Sequence, residues 1–447
     1  MQIRLKSLGF NSTFDSKLSP MKKIFFVFYL SLFTLILSAQ KTILHCGTLI
    51  DCVSNEAQKE MSIVIEKGKI ISVEKGYKQV SANEKVIDLK TKTVLPGLMD
   101  MHVHLEFESR KGGSIDQFIM NPADYAFNSV VFSNRTLMAG FTTVRDLGGS
   151  GVNISLRNAI NSGKITGPRI FTAGKSISGT GGHMDPTNGF CEDLMGDPGA
   201  KDGVANGVDD CKKAVRQQYK NGADLIKIAS TGGVLSTAKD GSSPQYSEEE
   251  IKAIVQTAKD LGLNVACHAH GAEGMKRAIR AGVISIEHGT LMDDEVIALM
   301  KQYGTYYVPT ITAGKSVADS SKIAGFYPDI VVPKAQFIGP KIQATFSKAY
   351  KAGVKIAFGT DAGVYKHGKN AIEFQYMAEA GMPAIEAIKS ATVTSAQLLG
   401  LSDKLGTIEN GKIADLIAVD ENPLTNIKTL MNVKFVMKEG IVYKEVK

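Results

Sequence analysis

From residue 97 to about residue 399 the chain repeats one pattern: an apolar run of strand length, then a longer stretch whose apolar residues recur at helical period. Eight such runs stand out, at 98–105, 141–147, 169–174, 224–230, 264–270, 283–289, 305–311 and 354–361. Apolar strands alternating with amphipathic helices mark βα units whose parallel strands are covered on both faces. Two intervening stretches, 247–262 and 272–282, open on acidic residues and close on glycine, the expected helix start and stop. Eight units predict an α/β fold of the (β/α)8 TIM-barrel type. An open doubly wound sheet is the alternative, weakened because no G-x-G-x-x-G follows the first run. Outside this repeat the texture changes. Residues 41–96 and the last 45 residues alternate short β-type runs with turns, predicting a small β-sandwich built from both chain ends. The expected organisation is a leader over 1–39, sandwich strands over 40–96, the barrel over 97–400 and returning sandwich strands over 401–447.

Within the leader, Lys22 and Lys23 precede an unbroken apolar run from Ile24 to Leu37 and then small residues, a secretory signal pattern over 21–39. The run is short for a membrane span of roughly 20 residues. A secreted or periplasmic protein is therefore expected, with cleavage near Ala39 and translation starting at Met1 or Met21. The whole chain is 43% hydrophobic and 22% charged over 447 residues, which excludes disorder, collagen and coiled coil as the main architecture. Its net charge of +7 falls to +3 once the first 39 residues are set aside, too weak a balance for nucleic-acid binding. Five scattered cysteines without a C-x-x-C pair indicate neither a disulfide framework nor a cysteine-type zinc site.

In a barrel the active site forms at the carboxyl ends of the strands. Here the first run ends in His102-Val103-His104, the fifth in His268-Ala269-His270, the sixth in Glu287-His288 and the eighth in Thr360-Asp361. Five of the eight histidines thus fall at three predicted strand ends. Histidines at i and i+2 of a strand share a face and can reach one ion. In the fourth run Lys227 sits between flanking isoleucines, where a buried ammonium needs a partner, a depressed pKa or modification. Addition of carbon dioxide would make it a carbamate able to bridge two metals; pairing with Asp146 or Asp224 is the plainer alternative. Four imidazoles, one carbamate and one carboxylate suit two divalent ions, zinc first among them.

These residues resemble the amidohydrolase superfamily, and within it the prolidase-like dipeptidases and imidazolonepropionase-like proteins. The resemblance extends over 41–447. It is carried by the run from Pro96 to His104, by Ile226-Lys227-Ile228 with Thr231-Gly232-Gly233, by His268-Ala269-His270-Gly271, by Glu287-His288, by the run from Gly359 to Gly363, and by the closing segments from Gly406 to Leu416. The resemblance implies that His102, His104 and Asp361 hold one ion and His268 and His288 a second, with carboxylated Lys227 bridging them. Catalysis would proceed by attack of metal-bridged hydroxide on an amide carbonyl, with Asp361 as base and then acid. His270 would face the substrate or serve as a structural histidine. His183, on a glycine-rich loop, and His367, after the eighth run, are further candidate substrate contacts. Arg145 could bind a product carboxylate but is expected to pair with Asp146. Tyr306 and Tyr307 are expected to pack.

The expected function is a secreted metallodipeptidase cleaving L-Xaa-L-Xaa with arginine, lysine or proline on the carboxyl side, the basic preference resting on the loop from Gly363 to Asn370. A non-peptide amidase, cyclic-imide hydrolase or lactonase with the same centre is the alternative. A non-catalytic binding protein is disfavoured, since it needs neither a bridging carbamate nor an acid/base aspartate. Homo-oligomerisation is implied by the resemblance alone, and no membrane partner is expected beyond the leader.

Overall fold

The computed structural model describes residues 40–445; the predicted leader and its signal run lie outside the described residues. In chain order the strands are β1 (Thr42–Leu49), β2 (Gln58–Glu66), β3 (Lys69–Lys75), β4 (Lys85–Pro96), β5 (Leu98–Val103), β6 (Phe141–Asp146), β7 (Arg169–Thr172), β8 (Ile226–Ala229), β9 (Val265–Ala269), β10 (Ser285–His288), β11 (Tyr306–Val308), β12 (Leu416–Val419), β13 (Phe435–Lys438) and β14 (Ile441–Lys444). The two β-textured ends meet in one seven-stranded sheet of order β14-β13-β12-β4-β1-β2-β3. At its centre β4 pairs in parallel with β1 and antiparallel with β12, so the expected sandwich is a single sheet stitched from both ends. Its alternating residues Leu44, Ile63, Leu89, Leu416 and Phe435 share one core cluster.

The βα repeat forms two parallel sheets, β5-β6-β7 and β11-β10-β9-β8. Their strands are buried on both faces, hence the continuous apolar runs. Single parallel bridges join Ile177 to Ile228, Tyr307 to Ile356 and Val103 to Ala362. The eighth predicted strand, 354–361, makes no ladder. It meets its neighbours through isolated bonds such as Met101 N to Phe358 O and Asp361 N to His102 O, because the chain turns to φ 58° at Asp361. The predicted continuous eight-stranded ladder is thus interrupted in the described residues.

The helices follow their signals. The one at Glu248–Asp260 opens on a Ser247–Glu250 capping box, and the one at Ala272–Ala281 ends on Gly282 at φ 95°. All five cysteines are free. Among the described residues no helix is long and apolar enough to cross a membrane.

One buried acid secures the segment after β11. Glu373 accepts from the N–H groups of Ile311 and Thr312 and from the Thr312 hydroxyl, capping the helix Ile311–Ser320 from outside. Burial raises its carboxyl from 4.5 to about 7 against those hydrogen bonds. As pH rises from about 4.5 to about 7, the unfolded chain releases this proton before the folded one does. Stability present below that window is therefore lost across it, by about 3 kcal/mol from this group. Denaturant melts at pH 5 and 7.5 are expected to show a smaller drop for Glu373→Gln than for the parent; equal drops would remove Glu373 from this account.

Candidate functional site

The carboxyl ends of β5, β8, β9 and β10 and the Asp361 turn open into one cavity of about 810 Å³. His102, His104, Lys227, His268, His270, His288 and Asp361 all line it, as does His183 from the glycine-rich loop. Three non-glycine residues at this end have left-handed backbones: His288 at φ 69°, Thr310 at φ 52° and Asp361 at φ 58°. Such conformations cost about 1–3 kcal/mol each and persist where surrounding bonds over-determine them. Here Asp361 N donates to His102 O at 2.7 Å and Tyr307 Oη to His288 O at 2.9 Å. Abrupt turns at the strand ends aim the side chains across the cavity floor instead of along the sheet.

The hydrogen bonds fix which imidazole nitrogens carry protons. His102 Nδ1 lies 3.0 Å from a Glu287 oxygen and His104 Nδ1 lies 2.7 Å from Gly148 O. Both partners only accept, so each Nδ1 donates and each Nε2 is left as a lone pair. Those two Nε2 atoms lie 3.5 and 3.3 Å from Asp361 Oδ1, which has no hydrogen-bond partner. His268 shows the same logic reversed: Nε2 donates to Gly232 O at 3.0 Å, leaving a buried, unpartnered Nδ1. His288 Nδ1 engages Thr310 Oγ1 at 2.7 Å. Burial drives the pKa of His102, His268 and His288 well below the usual value, so the rings are neutral. With Asp361 ionised, lone pairs converge on lone pairs in a dry site; burial pushes that carboxyl up to about 8, and a cation among these atoms would relieve the same strain by charge. One possible ligand atom each from His102, His288 and Asp361 lie within 4.8 Å of one another. The donor set fits a divalent metal bound by nitrogen and oxygen.

Lys227 is fully buried on β8, and its Nζ has no hydrogen-bond partner. Burial lowers its pKa, while Glu287 and Asp361 oppose that shift. Neither acid expected as its partner serves: Asp224 pairs with Arg157 at 2.6 Å, and Asp146 accepts from Leu105 N and Asn153 Nδ2. Arg145 is also displaced from expectation. It bonds Met101 O at 2.6 Å and Glu287 Oε1 at 2.7 Å and does not pair with Asp146, because its strand position points it across the interior toward β10. Arg145 therefore stays outside the cavity and, through Glu287, orients His102. His367 is absent from the cavity lining too. Its Nε2 reaches the carbonyls of His104 and Phe107 at 3.1 Å and its ring stacks on Phe132, so it braces the His104 segment.

His183 and His270 do face the cavity. The His183 ring lies 4.2 Å from that of His268 and fills the space where a Cβ on Gly233 would sit, 2.1 Å from the ring. His270 Nδ1 meets Thr290 Oγ1 at 2.9 Å, and burial lowers its pKa to about 3. Tyr307 packs in the core as expected. The orienting roles of Glu287, Gly148 and Thr310 had no signal in the sequence beyond their places beside strand ends.

Away from the histidines the cavity lining includes an apolar set, Val234, Leu235, Val317, Ala335, Ile338 and Ile342, beside the polar Gln117, Tyr125, Ser150, Lys175 and Ser176. Both oxygens of Glu106 there are taken by the N–H groups of Ser150 and Asn153, and Asp202 is held by Lys175 at 3.3 Å.

The sequence signature of the amidohydrolase family matches residues 93–442. The chain is 31% identical over 437 residues to ochratoxinase from Aspergillus niger, covering 91% of this chain and 87% of that one. A crystal structure of a Xaa-Pro dipeptidase with methionine bound in its active site superposes with a TM-score of 0.89 at 55% identity, covering 91% of this chain and all of that one. A prolidase complexed with N-methylphosphonate-L-proline gives a TM-score of 0.83 at 32% identity, over 91% of this chain and 100% of the other. A buried nitrogen and oxygen donor set in an apolar cavity, on a chain with these relatives, makes the protein a member of the amidohydrolase family and a hydrolase of amide bonds.

Proposed function

We propose that the protein is a binuclear metallodipeptidase that cleaves L-Xaa-L-Xaa. The observation that carries this reading is the convergence of unprotonated imidazole nitrogens on an unpartnered Asp361 oxygen. His102, His104 and Asp361 would hold one ion, His268 and His288 the other, and Lys227, as a carbamate, would bridge them. A neutral Lys227 amine adds to carbon dioxide with loss of one proton, which turns an unpartnered buried group into an anionic ligand. Zinc is the ion proposed. When bound, such ions supply Lewis acidity, activating water and polarising the scissile carbonyl.

The protein's own groups do the rest. Asp361 takes the proton of the attacking water on Oδ2, the oxygen not aimed at the two imidazoles, and passes it to the leaving amine. His270, neutral and held at Nδ1 by the Thr290 hydroxyl, offers its Nε2–H to a substrate oxygen. His183 packs beside His268 as a second cavity-facing contact.

Of the three expected carboxyl-side residues, proline is the one this cavity supports. Of the carboxylates lining the cavity, Glu106 and Asp202 are already engaged and Asp361 would be committed to the metal, so a guanidinium or ammonium there would lack a free partner. The Xaa-Pro dipeptidase relative with bound methionine points the same way. The parallel strands and the 354–361 segment are proposed to close as a (β/α)8 barrel through their single bridges, flanked by end-sheet portions at 40–96 and 401–447. Export is proposed on the signal pattern of 21–39, and self-association on the family resemblance alone.

The test is hydrolysis of a dipeptide panel by zinc-loaded protein prepared with bicarbonate. Free amino acids should appear, most from Xaa-Pro and other apolar carboxyl-side residues, and should vanish on adding chelator. A protein carrying two ions per chain that cleaves no dipeptide would move the assignment to non-peptide amides or lactones.

A further inference from the structure

The geometry assigns Lys334 as a positioning residue that clamps one wall of the substrate cavity, the loop after Gly232, to the other. Lys334 lies on the helix Val332–Ile338 and is only 8% exposed. Its ammonium meets three backbone carbonyls of a single loop: Gly233 at 3.4 Å, Ser236 at 2.5 Å and Ala238 at 2.7 Å. Three N–H donors matched to three carbonyls satisfy the group completely, and no carboxylate lies within ion-pair distance among the described residues. A cation buried on carbonyl dipoles alone is an expensive device where an apolar residue would pack, so the bonds it makes point to a role.

Both partners of the clamp belong to the site. The loop supplies Val234 and Leu235 to the cavity, and the helix supplies Ala335 and Ile338. At the root of the loop, Gly232 O accepts from His268 Nε2, and Gly233 lies against the His183 ring. At its far side the Thr237 hydroxyl donates to Asn188 O, on the loop that carries His183. Few other contacts tie this loop to the helix; Gly241 near Ile338 is one. Without the ammonium, three carbonyls lose their common donor, and the apolar walls are free to separate. Bound side chains would then be gripped less well, while the strand-borne groups His102, His104, Lys227 and Asp361 stay in place.

The effect should therefore appear in substrate grip rather than in the chemical step. The kinetic part of this inference rests on the dipeptidase reading above; the exchange part does not. Lys334→Met should raise amide hydrogen exchange in 233–241 at least about tenfold, with β9 unchanged. It should raise KM for Xaa-Pro and Xaa-Met about tenfold, with kcat within about threefold and metal content unaltered. Lys334→Arg, which keeps charge and donors, should recover most of the KM. Lys334→Gln, which keeps two donors on a shorter side chain, is the variant to read if the Met protein does not fold, with a KM rise of about three- to tenfold. Unchanged exchange in 233–241 in a folded Met or Gln variant overturns the clamp. So does a loss of kcat at constant KM. If the parent cleaves no dipeptide, the dipeptidase reading has failed, and the exchange experiment alone decides on Lys334.

Discussion

Asp361→Asn is expected to lower kcat on the best dipeptide by about 10²–10⁴-fold, the range that positioned acid–base groups supply. The argument starts from the backbone. Asp361 is held at φ 58° by its N–H bond to His102 O, and Asn tolerates that conformation as well as Asp does. The side-chain oxygen at Oδ1 is retained, so the contacts at 3.3 and 3.5 Å to the two imidazoles survive. What disappears is the capacity to carry a proton from water to the leaving amine. Metal analysis of the variant should give a content close to that of the parent, and its melting temperature should be similar. If both ions are lost together with turnover, Asp361 is chiefly a ligand and the proton carrier must be sought elsewhere.

Lys227→Met is expected to act in opposite directions on activity and stability. Turnover should fall on the order of 1,000-fold or more, since the proposed two-ion site would lose its shared ligand. The chelator-treated protein, by contrast, should become more stable, by about 1–3 kcal/mol, because a buried amine without a hydrogen-bond partner gives way to an apolar chain of similar length. Burial, reinforced by Arg145, outweighs the pull of Glu287 and Asp361 and disfavours the ammonium form. Melting curves of both proteins in excess chelator, beside activity in zinc and bicarbonate, measure the two effects. A metal-free variant that melts lower than the parent would show that Lys227 is paid for by its own contacts and not by the metals.

Much of this was legible before the coordinates. Strands covered on both faces leave continuous apolar runs, so seven of the eight predicted strands were found, each trimmed at its ends. The eighth was misread in kind: residues 354–361 have strand composition, but a left-handed turn at Asp361 and a glycine packed on His102 break the ladder, and neither leaves a hydrophobic signature. The cavity histidines were recognisable because polar residues ending apolar runs are anomalous. Arg145 and His367 were not placed correctly, since a strand residue's partner depends on what lies opposite, and a loop residue's direction depends on the turn. Glu287 joins Arg145 to His102 across strands more than 140 residues apart in sequence, a relation no local pattern carries. Lys334 looked like any surface lysine until its three carbonyls were seen.

The end sheet bears on how the molecule comes into being. Strand β4 is flanked by β1 and β12, and the Lys92–Asp420 contact beside that seam spans 328 residues. During synthesis β1 to β4 emerge before the βα units, but one side of β4 has no hydrogen-bonding partner until β12 has also left the ribosome. A high-contact-order seam of this kind closes late and slowly. Until it closes, the nascent chain carries an open strand template of the sort that recruits other chains. Pairing of β12 with β4, more than completion of any βα unit, is then the step that removes this template.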